Sequence, residues 1–516
     1  MYRILTASKD TYITNKIINN SFRATDANVG GAGTLDLFKL YAESSTGSDV
    51  TPIELSRILI KFNLAPLRAL TSSTLDITHP SFKCTLKLTD VYGGQTTPSN
   101  FKLILFPLSK SFNEGIGRDV VSFADVGSAN FITASSGSAW TVTGANHQGD
   151  IDSEYADIIS SGSLGDDTEN LFQVQTFEKG TENLEIDVTK IVSATLEDIL
   201  PDEGFRISFS GTQETDTATR FVKRFASRHA TNFNNRPKLI VAYDDAVIDH
   251  HENFFFNLSG TLFLNNYHRN SLANLLSGSA GLLHGVSGSN CLTLRIESGS
   301  VTQSTFFTKT ITASQHKVGD NFITGMYSAT FALNEFTVTQ SLRDEILNAG
   351  SATFREFWGS VPEEGSDTGY DLGYFTSSFV VRTVDRSAFS NVPSRLYVNI
   401  TNLNSTYKTF EKARLRVFVE DLGREIKAEK LPLETKSEVY TRMFYRVRDY
   451  DSGNIIIPFE TESNGTKLST DTNGLYFDFY MDALAPGRMY AFDFIIKDGG
   501  IDQIFTDVPA RFSVDE

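Results

Sequence analysis

The sequence predicts a mainly β, multi-domain protein: an N-terminal β-sandwich followed by two smaller β-sandwich-like domains. Three observations predict it. Phenylalanine supplies 40 of the 516 residues against only 5 methionines, and Phe, Val, Ile and Thr, the types that fit a pleated, half-buried surface, recur along the whole chain. Short alternating or apolar runs dominate, each bounded by Gly, Asn, Asp, Ser or Thr clusters that form turns. Helical periodicity is confined to two short stretches. At typical domain sizes the length accommodates about two to four domains.

Taken in order, the first part carries "RILIKFNL" (57–64), "KCTLKLTDV" (83–91), "FKLILFPL" (101–108), "FRISFSG" (205–211) and "PKLIVAY" (237–243). In "SRILIKFNL", Ile58, Ile60 and Phe62 alternate with Arg57, Leu59 and Lys61, predicting one apolar face. "PKLIVAY" opens on Pro237, at a strand start where a missing N–H costs least. A helix is predicted over 187–200, with Val188, Ile191, Val192, Leu196 and Leu200 on one face and Asp187 capping the first turn. "YDDAVIDHHEN" (243–253) marks a boundary, followed by "FFFNLSGTLFL", "CLTLRIESG" and a second helix over 337–350 that closes on Gly350. The polar, proline-containing "VDRSAFSNVPS" (384–394) marks another, followed by "RLYVNITNL", "ARLRVFVE", "LYFDFYMD" and "YAFDFIIKD". The predicted domains are therefore 1–245, 246–388 with one short helix, and 389–516, the last with the strand content of a small Ig-like sandwich.

A net charge of −17 argues against a surface built to hold nucleic acid. It suits solubility, or an assembly in which like-charged copies stay apart until docked. Cys84 and Cys291 lie in separate apolar runs and read as small buried hydrophobes, not a disulfide framework or zinc site. "MYRILTASKDTYI" lacks the pattern of a signal peptide, and no apolar run is long enough to span a bilayer. The expectation is a soluble protein made in a cytosol, with the Asn-x-Ser/Thr triplets at Asn257, Asn399, Asn404 and Asn464 arising by chance.

An ordered series of segments in the first half resembles the DNRLRE family of β-sandwich (jelly-roll) domains, found in bacterial surface proteins and phage particles. "SKDTYITNKIINNSFRATDANVG" is similar to the family's first strand, and "SRILIKFNLAPL" to its Ser-Arg-x-Leu-x-x-Phe strand. "SFNEGIGRDVVSFADVGSANF" with "SAWTVTGA" resembles the Glu-Gly-x-Gly and Trp-x-x-x-Gly segments, "LEIDVTKIV" the Asp-Val-Thr helix start, and "RPKLIVAY" the last strand. The wording of "FVKRFASRHA" followed by "RPKLIVAYDD" is closer to phage virion members than to surface ones. The resemblance implies an N-terminal jelly roll and a place in a tailed-phage particle; the remaining two parts resemble no named family.

The stretch 221–238 packs Lys223, Arg224, Arg228, His229, Arg236 and Lys238 among aromatics. A nucleic-acid groove would want those cations on one face with exposed stacking rings, inside a basic chain. A structural reading fits better, with Arg228 and Arg236 paired internally to loop acids such as Asp187, Glu214 or Asp216. His229 titrates in the right range for a general base, and Ser227 lies two residues away, yet no Gly-x-Ser-x-Gly elbow is present. "DHHE" (249–252) is the densest cluster of ligand types, but adjacent His250 and His251 point to opposite sides of an extended chain, which favours an interdomain loop. The acid-rich "DIDSEYAD" and "SLGDDTEN" lack the Asp-x-Asp-x-Asp-Gly pattern, so a structural calcium receives no ligands. Carbohydrate sites usually present tryptophans, and only two occur: Trp140 in a family-like segment, and Trp358, which is free to be exposed.

No catalytic, cofactor-binding or metal residue is assigned, and no enzyme activity or cofactor is expected. The expected function is a non-enzymatic structural component of a virion, in the tail, neck or fibre-base region. Its partners would be other virion proteins and further copies of itself in a symmetric oligomer, with no nucleic acid or membrane. The alternative is an adhesin that grips host surface glycan.

Overall fold

A computed structural model describes residues 1–46, 53–164, 167–279, 282–299, 304, 306–361, 372–383, 395–423, 437–498, 500–506, 508 and 510–516. The chain is mainly β and multi-domain. It divides into two compact units, one of Tyr2–Leu70 with Pro80–Tyr243, the other of Asp244–Glu516 with Met1 and Thr71–His79. That last segment belongs with the second unit although it lies inside the first part of the sequence, where Asn321 Nδ2 donates to the Thr71 carbonyl at 2.8 Å.

The first unit is built on ten strands: β1 (Tyr2–Thr14), β2 (Thr34–Tyr41), β3 (Ile53–Phe62), β4 (Lys83–Leu88), β5 (Phe101–Pro107), β6 (Gln173–Phe177), β7 (Leu184–Asp187), β8 (Phe205–Phe209), β9 (Arg220–Ala226) and β10 (Lys238–Ala242). They run β6-β5-β8-β3-β1-β10-β4-β7, with β2 joining β3 to β9, and all pairs are antiparallel. Strand β1 changes partners halfway: Tyr2–Thr6 pair with β10, and Ala7–Thr14 pair with β3 after a register shift between Ala7 and Lys9. One long strand thereby serves both halves of the sandwich, and the bulge supplies the bend that such a switch requires.

Alternation in β3 predicted a single apolar face, but both faces are buried. Ile58 and Ile60 are fully enclosed, and so is Leu59 on the opposite side. Leu59 joins Ile13, Phe106, Phe112, Phe131 and Trp140 in a second core beneath the long excursion between β5 and β6. Arg57 is buried there too, its guanidinium spread across the carboxylate of Glu214 at 2.9 and 2.8 Å. A period-2 pattern reports which side chains alternate; it cannot report that a later loop will cover the polar side.

Helix α1 (Thr189–Leu196) is shorter than the predicted 187–200 and leaves Val188 and Leu200 outside it, yet all five predicted apolar residues are buried. Asp187 remains the last residue of β7, and its Oδ1 accepts the Thr189 N–H at 2.8 Å.

The second unit contains a seven-stranded sheet followed by a pair of sheets. In the former, β11 (Phe254–Phe255), β12 (Ser259–Asn265), β13 (Leu292–Ser298), β14 (Phe307–Val318), β15 (Asn321–Ala332), β16 (Ser351–Ser360) and β17 (Gly373–Arg382) run β11-β17-β16-β13-β14-β15-β12. The two ends of this order, β11 and β12, are neighbours in sequence, so the sheet is rolled around its own core. Phe254 stacks on Phe331 at 4.9 Å and tilts against Phe379 at 5.4 Å, joining both ends. Helix α2 (Gln340–Ala349) packs Leu342 and Ile346 into the same core. Thr339 caps it through the Leu342 N–H, and Gly350 ends it at φ +77°, the left-handed conformation expected of a C-cap glycine.

The last part pairs a four-stranded sheet, β18 (Leu396–Ile400), β20 (Lys412–Asp421), β24 (Gly474–Tyr480) and β23 (Ser469–Asp471), with a six-stranded one. The latter contains β19 (Thr406–Lys408), β21 (Met443–Asp449), β22 (Ile455–Ile457), β25 (Arg488–Asp498), β26 (Ile501–Phe505) and β27 (Arg511–Asp515). Between them lies an aromatic core: Tyr445 stacks on Phe477 at 4.5 Å and Phe492 on Phe512 at 5.0 Å. Among the described residues no helix is long and apolar enough to cross a membrane.

Candidate functional site

The basic stretch becomes strand β9, the turn after it and the start of β10, and Lys223, Arg224, Arg228 and Arg236 find partners within the first unit. Lys223 is fully buried; its ammonium meets Asp90 Oδ1 and the carbonyls of Gly180 and Glu182 at 2.8 and 2.7 Å, above the rings of Phe177 and Phe225. Burial pushes its pKa down, and the hydrogen bond and charge of Asp90 oppose that shift. Arg224 forms a two-pronged pair with Asp36 at 2.8 and 2.6 Å, and the neighbouring Arg220 another with Asp216. Hydrogen bonds from Arg220 hold the Asp216 carboxyl well below the usual range. Lys238, buried beside Lys87, has its pKa lowered to about 8, mainly by loss of water.

The acids expected to pair with Arg228 and Arg236 are engaged elsewhere: Glu214 with Arg57, Asp216 with Arg220 and Lys39, and Asp187 at the start of α1. Arg228 instead donates to the Ser8 carbonyl and lies 3.1 Å from Glu114. Arg236 donates to the Ala230 carbonyl at 3.0 Å and covers the Phe233 ring. Sequence proximity favoured nearby acids, whereas the sandwich brings β1 and the loop after β5 to this turn.

Here three titratable groups converge. Asp10 of β1, Glu114 of the "EGIG" loop and His229 after β9 each place one potential ligand atom within 4.8 Å of the others. His229 Nε2 is 3.4 Å from Glu114 Oε1, which also accepts the Asp10 N–H at 3.0 Å. Asp10 is enclosed; Oδ2 accepts the Arg228 N–H at 2.6 Å, while Oδ1 is buried without a hydrogen-bond partner among the described residues. Burial raises the Asp10 pKa to about 7, with the Glu114 charge adding and the Arg228 N–H and charge opposing.

Two interlocked loops hold Glu114 in place. Asn28 donates to the Glu114 and Ala129 carbonyls at 2.7 and 2.9 Å, and its Oδ1 accepts the Gly117 N–H at 2.9 Å. The backbones approach so closely that a Cβ on Gly30 would sit 2.0 Å from the Glu114 carbonyl oxygen, and one on Gly117 2.0 Å from that of Asn28. Only glycine permits such an approach, which accounts for "NVGG" facing "EGIG".

Ser227 does not partner His229 as a nucleophile would. Its hydroxyl donates to the Ala32 carbonyl at 2.6 Å and accepts the backbone N–H of His229. Neither Asp10 nor Glu114 entered the sequence reading as a site residue. The available signal was their position in two of the family-like segments, "SKDTYI" and "FNEGIG".

In "DHHE", His250 and His251 do separate. His250 Nδ1 accepts the Thr261 N–H at 3.1 Å, while His251 is buried between two carboxylates, Nδ1 on Asp249 and Nε2 on Glu356 at 3.0 Å. Burial works against its charge, but the hydrogen bonds and charges of Asp249 and Glu356 prevail and raise its pKa to about 10. Trp358 is not exposed as the sequence allowed: it is 1% accessible, and its Nε1 donates to Glu356 at 3.2 Å. Trp358 lies in the core of the rolled sheet. Trp140 is likewise buried, donating to the Asn130 carbonyl at 2.9 Å.

Two acids of "DIDSEYAD" are engaged by donors of the chain itself. Asp157 is spent on the N–H groups of Thr141, Val142 and His147, and Asp150 on Ser153. In "SLGDDTEN", Gly165 and Asp166 lie outside the described residues. Cys84 is buried and Cys291 partly so, and both are free thiols.

No family model matches this chain, and no curated protein matches it. Two solved structures are similar at a low level. One is trypsin-activated alpha-2-macroglobulin from Escherichia coli, 8% identical, TM-score 0.15, covering 94% of this chain and 24% of that one. The other is Salmonella alpha-2-macroglobulin reacted with methylamine, 10% identical, TM-score 0.14, covering 100% of this chain and 34% of that one. This chain spans no more than about a third of their length, and a likeness so slight carries no argument about fold or function.

Proposed function

We propose that this chain is a non-enzymatic structural component of a tailed-phage virion, in the tail, neck or fibre-base region. In this reading it works by protein–protein contact as one of several copies in a symmetric assembly. The observation that carries the proposal is the joining of separate segments. "SKDTYI", "NVG", "EGIG" and "SRHA", which follow the DNRLRE order in sequence, meet through Asp10, Asn28, Glu114, Gly117 and His229 in one interlocked seam. This supports membership of the first unit in that family, and the virion-like wording of 221–245 supports the particle. Lys223, Arg224 and Arg228 are spent on internal partners, which favours a scaffold over a cationic binding groove. A net charge of −17 suits copies that repel one another until docked. Affinity in such an assembly comes from many contacts acting together.

A second reading, a glycan-binding adhesin, draws on exposed aromatic side chains: Tyr92 and Tyr155 are each 66% accessible and Tyr267 54%. Mass spectrometry of purified particles decides the first reading: a fixed multi-copy stoichiometry is expected, and absence from the particle refutes it. A glycan array with the isolated protein is expected to be blank, and specific binding abolished by a Tyr92→Ala or Tyr155→Ala change would favour the adhesin.

A further inference from the structure

We propose that Asp10, Glu114 and His229 form a structural site for one divalent transition-metal ion of the zinc class. The ion would tie strand β1, the loop after β5 and the turn after β9 into one closure. The proposal rests on the first unit alone and does not depend on the virion reading.

Three observations carry it. The ligand atoms come from segments more than 100 residues apart yet lie within 4.8 Å of one another. The Asp10 carboxylate contributes a ligand atom to this cluster, and its Oδ1 is buried with no donor among the described residues, a state that buried carboxylates avoid unless a cation or proton supplies the partner. His229 Nε2 and Glu114 Oε1 are 3.4 Å apart, which matches the ~3.4 Å edge of a tetrahedron with metal–ligand bonds of ~2.1 Å.

The chemistry of the donors selects the ion. An imidazole with two carboxylates suits zinc and its neighbours, whereas calcium and magnesium prefer oxygen alone. His229 is 36% exposed on its side chain, leaving a route for entry and room for a water as fourth ligand. The backbone around the cluster is pinned to it: the Arg228 N–H donates to Asp10 Oδ2, the Asp10 N–H to Glu114 Oε1, and the His229 backbone N–H to the Ser227 hydroxyl, which fixes the turn that carries the imidazole. Arg228 offsets one of the two carboxylate charges and is anchored to the Ser8 carbonyl, so one negative charge is left for the cation. The other acid–histidine cluster, Asp249–His251–Glu356, is not available to a metal, because both ring nitrogens of His251 already face carboxylates.

The test uses the full chain, stripped with a chelator and titrated with Zn²⁺ by calorimetry, with metal content measured after gel filtration. One zinc per chain is expected, together with a higher melting temperature for the first unit and a tetrahedral visible spectrum on Co²⁺ substitution. His229→Ala, at an exposed position, should melt like the wild type without metal yet bind zinc more weakly by over ~100-fold, beyond the 10–100-fold typical of outer-shell changes. Glu114→Gln should weaken zinc binding in the same way. A wild type that retains no zinc overturns the site, as does a His229→Ala protein that binds zinc unchanged. Ca²⁺ raising the melting temperature equally in the wild type and His229→Ala would overturn the assignment of ion class.

Discussion

Replacing Lys223 with methionine keeps the length of the side chain and removes its charge. In the folded protein this leaves Asp90, only 12% exposed, without its cation, and strips a donor from the carbonyls of Gly180 and Glu182. Breaking one side of a buried ion pair typically costs about 3–5 kcal/mol, because the remaining charge stays desolvated. For a unit of this size each kcal/mol moves the midpoint by roughly 2–4 °C, so a fall of about 6–20 °C is expected. Differential scanning calorimetry, with the two units followed as separate transitions, measures it. Adding Asp90→Asn to Lys223→Met should restore at least ~1 kcal/mol, since the stranded charge is then gone. A change below ~1 kcal/mol with assembly or nucleic-acid binding impaired would refute the reasoning and make the basic stretch a contact surface.

Three further outcomes follow from the same structure. The folded His251 pKa of about 10 lies above the ordinary value of 6.5, so its contribution to stability is complete below about pH 6.5 and is lost as pH rises through 10. The raised Asp249 pKa acts in the same direction. The second unit should therefore melt progressively lower between pH 7 and about 10, and His251→Gln should flatten that slope in a series of thermal melts. Gly117→Ala would push a methyl group against the Asn28 carbonyl and should destabilise the first unit by about 1–3 kcal/mol or more, measured by urea unfolding. Trp358→Ala, in the rolled core of the second unit, should cost about 3–5 kcal/mol and also leave Glu356 without the indole donor.

Much of this architecture is legible in local pattern. The five apolar residues at 188–200, the Thr339 cap and Gly350 stop of the second helix, and Pro237 at the head of β10 all follow from rules that act over a few residues. So does the separation of His250 from His251, which needs only an extended backbone. The seam is legible only in part. The glycines at 30, 31, 115 and 117 leave room for close approach, and Gly115 has φ +79°, but nothing local says that the two loops lock into each other.

Local pattern is enough to read a β protein, the two longer helices, and cations of 221–238 that sit beside strands. Period-2 alternation, turn residues and caps are encoded within a few residues of where they act, so they survive without knowledge of the fold. Which acids meet which cations, the burial of Leu59 and Trp358, and the convergence of Asp10, Glu114 and His229 are set by the fold as a whole. Those outcomes depend on strand order, on β1 switching partners at its bulge and on a long loop folding back over β3. Contacts between residues 100 or more positions apart leave no periodic trace in the chain.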